Sequence, residues 1–270
     1  MTKRATSWDR RKRRPPVVLV ILAVLGLSVF VIPLLGLLAR TPWSDLPTLL
    51  TSDVVLDALR VSVVASLGAT AISAILGIPL AWVLARVEFP GRAIVRGLVV
   101  LPLVLPPVVG GAALLFALGR RGLIGEPLNE MTGLVLPFSM WGVIIAATFV
   151  AMPFLVITVE GGLRNLDPRY EGAAATLGAG RWTVLWRVTL PMIGSSLAAG
   201  LALTWARALG EFGATITFAG NLQGRTQSLP LAVYVAMESD RGAAVALSLI
   251  MVVISLTVLI VLRHRWWGAL

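Results

Sequence analysis

Six stretches of this chain carry no charged side chain: residues 17–39, 61–85, 97–119, 131–159, 188–206 and 242–262. A helix rising 1.5 Å per residue needs about 20 apolar residues to cross the hydrocarbon core of a bilayer. Inside lipid the backbone finds no water, so runs of that length are stable as helices, whose own ladders satisfy every amide. Composition agrees, with 57% hydrophobic and 13% charged residues and a mean hydropathy of +0.90, where ordinary soluble domains carry about 25% charged residues. The chain therefore reads as an all-α, polytopic membrane protein with six transmembrane helices. These are expected at about 17–39, 57–85, 97–118, 134–159, 192–213 and 242–262, between a basic tail at 1–16 and a short tail at 263–270. A further apolar segment between Phe212 and Leu222 is too short to cross alone.

The tail before residue 17 is basic, as the start of a secretory signal would be. The apolar run behind it has 23 residues and no A-x-A-like site after it, whereas signal peptides carry about 7–15 apolar residues, so a retained anchor is expected. Six spans put both ends on one side. If that side is cytoplasmic, Lys3, Arg4, Arg10, Arg11, Lys12, Arg13, Arg14, Arg86, Arg92, Arg96, Arg164, Arg169, Arg181, Arg187, Arg263 and Arg265 lie inside. Only Arg40, Arg120, Arg121, Arg225 and Arg241 lie outside, with Arg60 and Arg207 at or within spans. This is the asymmetry that resistance of positive flanks to translocation produces.

The net charge of +10 is scattered along membrane borders and not gathered on a folded domain, so it points to topology and anionic lipid, with no nucleic acid partner. Trp43, Trp82, Trp141, Trp266 and Trp267 fall near span ends, where an interfacial aromatic belt would place them. With no cysteine, disulfides and thiolate metal sites are excluded. There is no phosphate-binding G-x-x-x-x-G-K-[ST] loop, no metal-spaced histidine cluster and no nucleophile with a histidine partner; the one histidine, His264, sits among tail arginines. The chain is not expected to be an enzyme, nor to hydrolyse ATP by itself.

Two features interrupt the apolar pattern inside the membrane. Pro102, Pro106 and Pro107, followed by Gly110 and Gly111, cannot occupy one straight helix, because proline removes a backbone donor and collides with the preceding turn. Arg207 and Glu211, spaced i, i+4, can pair and so soften a burial cost of about 2.5–3.5 kcal/mol for a lone charge at a span centre. Either a structural ion pair or the polar lining of a transport path fits them. On the second reading Arg207, Glu211, Gly213, Thr215, Thr217, Pro106 and Pro107 form a path or gate, with Gly210 and Gly213 permitting a helix break. Gly68 and Gly77, with Ala65, Ala69, Ala71 and Ala74, offer a surface for close helix packing.

Between the fourth and fifth spans, residues 160–191 hold an amphipathic, charged segment. Asp167 and Pro168 are a polar cap and a first-turn proline, and Glu171 falls where a helix dipole favours an acid. A short helix is expected there, ended by Gly178 and Gly180. A second should start at Arg181, present Trp182, Val184, Leu185, Trp186 and Val188, and give way to the fifth span at Pro191. The pair makes a knob on the membrane face, suited to docking a partner or to lying on lipid.

The pattern E-x-A-A-x-x-L-G-A-G with a distal L-P, from Glu171 to Pro191, resembles the cytoplasmic loop of permease subunits of bacterial ABC importers. Together with the span pattern, the resemblance covers about residues 56–262. It implies that the loop is a coupling helix docking in a groove of an ATP-binding subunit, through Glu171, Ala173, Ala174, Leu177, Gly178 and Arg181. The common form places glutamate at position 172; this chain has Gly172 there, with the acid one step earlier.

Two more stretches, 105–125 and 206–234, resemble the molybdate and tungstate permeases. The sulfate and thiosulfate permeases share the GEFGA core, and T-I-T-F at 215–218 is closer to the molybdate group. The resemblance implies a homodimeric pore for a tetrahedral oxyanion in the bacterial cytoplasmic membrane, both termini cytoplasmic, fed by an extracytoplasmic binding protein. No cofactor is expected on this chain, ATP and magnesium belonging to the ATPase subunit. A secondary transporter is the alternative of another class, with Glu211 as its one candidate coupling acid.

Overall fold

Helices form wherever the apolar runs lie, and the small residues within them decide how the helices meet. The computed structural model describes residues 16–266; the basic residues from Lys3 to Arg14 and Trp267 lie outside them, as do the side chains of Arg263, His264, Arg265 and Trp266. Among the described residues there is no strand. The chain divides into two units, 1–41 and 42–270. The first holds α1 (Val17–Ala39), 23 residues with a mean hydropathy of 3.1.

The second unit begins with a short α2 (Leu46–Leu50) and α3 (Asp53–Arg86). At 34 residues α3 is longer than the 57–85 expected, and at 1.5 Å per residue it reaches about 50 Å, beyond the hydrocarbon core on its own. It pairs most extensively with α7 (Met140–Asn165). Glycines make that closeness possible: a Cβ on Gly68 would lie 3.1 Å from Ile144 Cδ1, and one on Gly77 would lie 3.3 Å from Met152 and Val156. Ala65, Ala69, Gly77 and Ala81 of α3 are buried, whereas Ala71 faces outward and takes no part. α7 starts six residues later than expected, because Ser139 caps it by accepting the Gly142 N–H at 3.2 Å. It also runs on to Asn165, into the stretch expected as loop.

The third span is two helices, α4 (Arg92–Val104) and α5 (Pro107–Leu118), meeting at 119° across Leu105 and Pro106. Proline forces the break, since Leu105 takes the extended conformation that a following proline imposes. α6 (Gly125–Thr132) precedes α7.

After α7 come α8 (Arg169–Thr176) and α9 (Arg181–Val184). α9 does not stop at Pro191: it passes through a π turn at Leu185–Thr189 into α10 (Leu190–Met192), and only then bends by 77° into α11 (Gly194–Leu209). A wide turn there accommodates the amide that Pro191 lacks. α11 lies on α7, where Gly200 admits Leu155 and Thr158, and Gly162 admits Ser196. The short α12 (Gly213–Phe218), the segment foreseen as too short to cross, packs on α5; α13 (Leu229–Ser239) and α14 (Arg241–Trp266) complete the unit. Among the described residues four helices are long and apolar enough to cross a membrane, and six spans result when each bent pair counts as one.

Apolar clusters hold the helix ends together. Leu84, Leu155, Val156, Val159, Leu163 and Ile193 form one, and Val55, Ala58, Leu229, Ala232, Ala244 and Leu247 another. Truncating a side chain as buried as Leu155 to alanine costs about 2–5 kcal/mol. Ile75, Ile94, Val104 and Phe116 stay at least 70% exposed, the outward apolar surface that a lipid solvent requires.

Candidate functional site

The knob is built from local rules and then fastened by distant residues. Asp167 accepts the Arg169 N–H at 2.9 Å and so starts α8. α8 ends at Thr176, and Gly178 then turns the chain with φ +87°, a conformation that costs a side-chain-bearing residue about 1–2 kcal/mol. Glu171 does not face outward. Its Oε2 lies 3.2 Å from Arg86 Nε at the end of α3, and its Oε1 accepts the Thr189 hydroxyl at 2.8 Å. Arg86 also donates to the Leu166 carbonyl at 3.3 Å, so one guanidinium holds both the start of the loop and its first helix.

With the acid turned inward, the outer surface is apolar and basic. Leu177 is 90% exposed, Trp182 73% and Trp186 63%; Ala173, Gly178 and Arg181 are exposed and Ala174 is half-buried. Gly172 has open space around its Cα. The surface has room for a partner and no polar constellation of its own.

A second site lies where the broken helices meet. Arg207 Nη1 approaches Glu211 Oε2 to 2.6 Å, the pairing expected from their spacing. Glu211 is buried, and its Oε1 accepts the Ala214 N–H at 2.8 Å, capping α12. The same side chain thus neutralises an arginine and starts a helix within the break at Gly210–Phe212. Around this pair, Pro107, Val108, Arg207, Gly210, Glu211, Phe212 and Gly213 line a cleft of about 310 Å³.

Pro106 precedes that lining, in the extended link before α5. Thr215 and Thr217 do not line it. Thr215 is buried among the helices, and Thr217 bonds back to the Gly213 carbonyl at 2.8 Å while packing on α5. There Gly111 is the contact point: a Cβ on it would lie 2.7 Å from both the Ala214 carbonyl oxygen and Thr217 Cβ. A threonine held against a glycine surface serves packing; of the residues expected to form a path or gate, Pro107, Arg207, Glu211 and Gly213 line the cleft.

Sequence reasoning missed Arg86 and Thr189 as partners of Glu171, and Glu160, which is buried and paired with Arg96 and Arg164. The signals for Glu160 were an acid at the border of an apolar window and Arg164 four residues on. Its other partner, Arg96, stands 64 residues away.

A bundle of long apolar helices, with two broken spans around a buried ion pair and an exposed helix–glycine–helix knob at one end, is the architecture of a membrane transport subunit. The chain belongs to the family of binding-protein-dependent transport system inner membrane components, whose sequence profile matches residues 74–265. It is 47% identical over 240 residues to the molybdenum transport system permease protein ModB of Mycobacterium tuberculosis, covering 88% of this chain and 90% of the relative. It is 35% identical over 235 residues to the sulfate transport system permease protein CysT of Escherichia coli, covering 86% and 84%. A chain of a bacterial ABC transporter that imports the acidic polysaccharide alginate has the same fold, with a TM-score of 0.71 at 19% identity, covering 92% of this chain and 93% of that one.

Proposed function

We propose that this chain is the permease subunit of an ATP-driven importer that carries molybdate, or its close analogue tungstate, across the cytoplasmic membrane. The observation that carries the proposal is the higher and equally extensive identity to a molybdenum permease than to a sulfate one. The knob supports the coupling role. Its acid is consumed within the chain, which leaves Leu177, Ala173 and Gly178 as an outward surface for an ATP-binding subunit. In this reading the chain performs no catalysis and holds no cofactor; ATP and magnesium reside on the partner.

Two copies of the chain form the pore, each seated on one ATPase subunit, with both termini and the knob cytoplasmic. ATP binding closes the ATPase pair and draws the two knobs together, which opens the pore toward an extracytoplasmic binding protein that delivers the anion. Hydrolysis resets it. Arg207 offers a counter-charge to a dianion while Glu211 restrains its affinity, so the anion is not trapped.

The test is ATPase activity of the reconstituted complex with its binding protein, comparing molybdate, tungstate and sulfate. Molybdate and tungstate should stimulate hydrolysis and sulfate should not. Equal or greater stimulation by sulfate would sink the assignment. Anion uptake by the chain alone under an ion gradient would favour a secondary transporter.

A further inference from the structure

At the end of the bundle that carries the knob, α4 is joined to α7 by charge. Glu160, near the C-terminal end of α7 and 6% exposed, accepts two donors of the Arg96 guanidinium on α4: Nε at 3.4 Å, and Nη2 in a closer contact with Oε1. Arg164, one turn further along α7, places its Nε 3.8 Å from the same Oε1. Apolar packing would hold two helices here at a smaller desolvation cost than a buried carboxylate does. What a forked guanidinium–carboxylate pair adds is direction, because two donors on one carboxylate fix both the rotation and the slide of one helix on the other.

Such a hold matters for α4, none of whose residues is fully buried. Its far end leads through Leu105 and Pro106 into α5, whose Gly111 carries α12 and the Glu211 cap. From the other partner, α7, only three residues separate Asn165 from α8 and the Arg86–Glu171 clasp. The Arg96–Glu160 contact is therefore a mechanical route from the knob to α4 and α5, separate from the chain connection through α10 and α11.

We propose that Glu160 and Arg96 are positioning residues of the transport cycle, a latch that makes α4 follow α7 when the knob moves. The proposal rests on the permease reading above. Arg164 lies on the same helix as Glu160 and ties nothing to α4; it adds only a half-exposed positive charge beside the carboxylate.

The test uses the full complex with its ATPase and binding protein, measuring molybdate moved per ATP hydrolysed. Arg96→Gln cuts the tie to α4 while Arg164 still leaves a positive charge beside Glu160, so the complex should assemble, retain hydrolysis and move at least tenfold less molybdate per ATP. Glu160→Gln should do the same, whereas Arg164→Gln, which leaves the fork intact, should stay within twofold of the unmodified complex. An unchanged ratio in Arg96→Gln overturns the latch, and so does loss of assembly in both Arg96→Gln and Glu160→Gln, which would assign the pair to folding alone. The unmodified complex run in parallel separates the two readings: if it moves no molybdate the permease assignment fails, and if it does, the latch alone is judged.

Discussion

Glu171 stands 3.2 Å from Arg86, a residue 85 positions earlier in the chain, and this contact turns the acid of the knob into the protein. Both side chains keep a fifth or less of their surface in contact with solvent. The pair is thus a clasp between a loop and the end of the longest helix.

Removing the clasp should loosen the knob without affecting insertion. Hydrogen bonds to charged groups contribute about 1.5–3 kcal/mol, reduced here by partial exposure, and Glu171→Ala also leaves Thr189 without its acceptor. The expected outcome is faster tryptic cleavage at Arg169 or Arg181 in membrane vesicles, at an unchanged level of inserted protein.

Gly178 is confined by its backbone and not by its neighbours, since nothing lies within 4 Å of where its Cβ would be. Gly178→Val should therefore cost about 1–2 kcal/mol and shift the knob. Gly178→Asn should cost less, because asparagine tolerates the left-handed region. Anion-stimulated ATPase activity should follow that order, with valine the weaker.

Gly172 gives the opposite expectation. It sits inside α8 with open space around it and no positive φ. Gly172→Ala should stabilise the helix by about 0.5–1 kcal/mol and leave transport intact. Reduced uptake in this variant would show that a partner approaches the backbone at that point.

At the cleft, Arg207→Ala should damage the fold more than Glu211→Gln. The first leaves a buried carboxylate uncompensated, at about 3–5 kcal/mol. The second keeps an oxygen that can still accept the Ala214 N–H. Folded yield in detergent and thermal stability should both drop markedly for Arg207→Ala and only slightly for Glu211→Gln.

Gly111→Ala should force α5 and α12 apart, because the new methyl group meets the Ala214 carbonyl oxygen, which is backbone and cannot rotate away. Overpacking of this kind costs about 1–3 kcal/mol. A lowered melting temperature together with impaired anion uptake is the expected result.

The local devices were legible in the order of the residues. Asp167 and Pro168 marked the start of α8, Gly178 its end, and the Arg207–Glu211 spacing its ion pair, because each acts within one or two helical turns. Pro106 announced a break in the third span. It did not announce a reversal of 119°, since the angle depends on what the two halves pack against. Thr215 and Thr217 looked like pathway residues for their hydroxyls, yet a glycine on α5 that the sequence does not place beside them claims Thr217 for packing.

By itself, then, the sequence determined that the chain lives in a membrane, that it is helical, where its third span breaks and where its knob stands. These follow from hydropathy, backbone chemistry and interactions a few residues apart. Only the tertiary structure decided which arginine meets which acid. Arg86 with Glu171 and Arg96 with Glu160 are set by how α3, α4 and α7 lie against one another, and that arrangement comes from glycine and alanine surfaces whose partners no local pattern names.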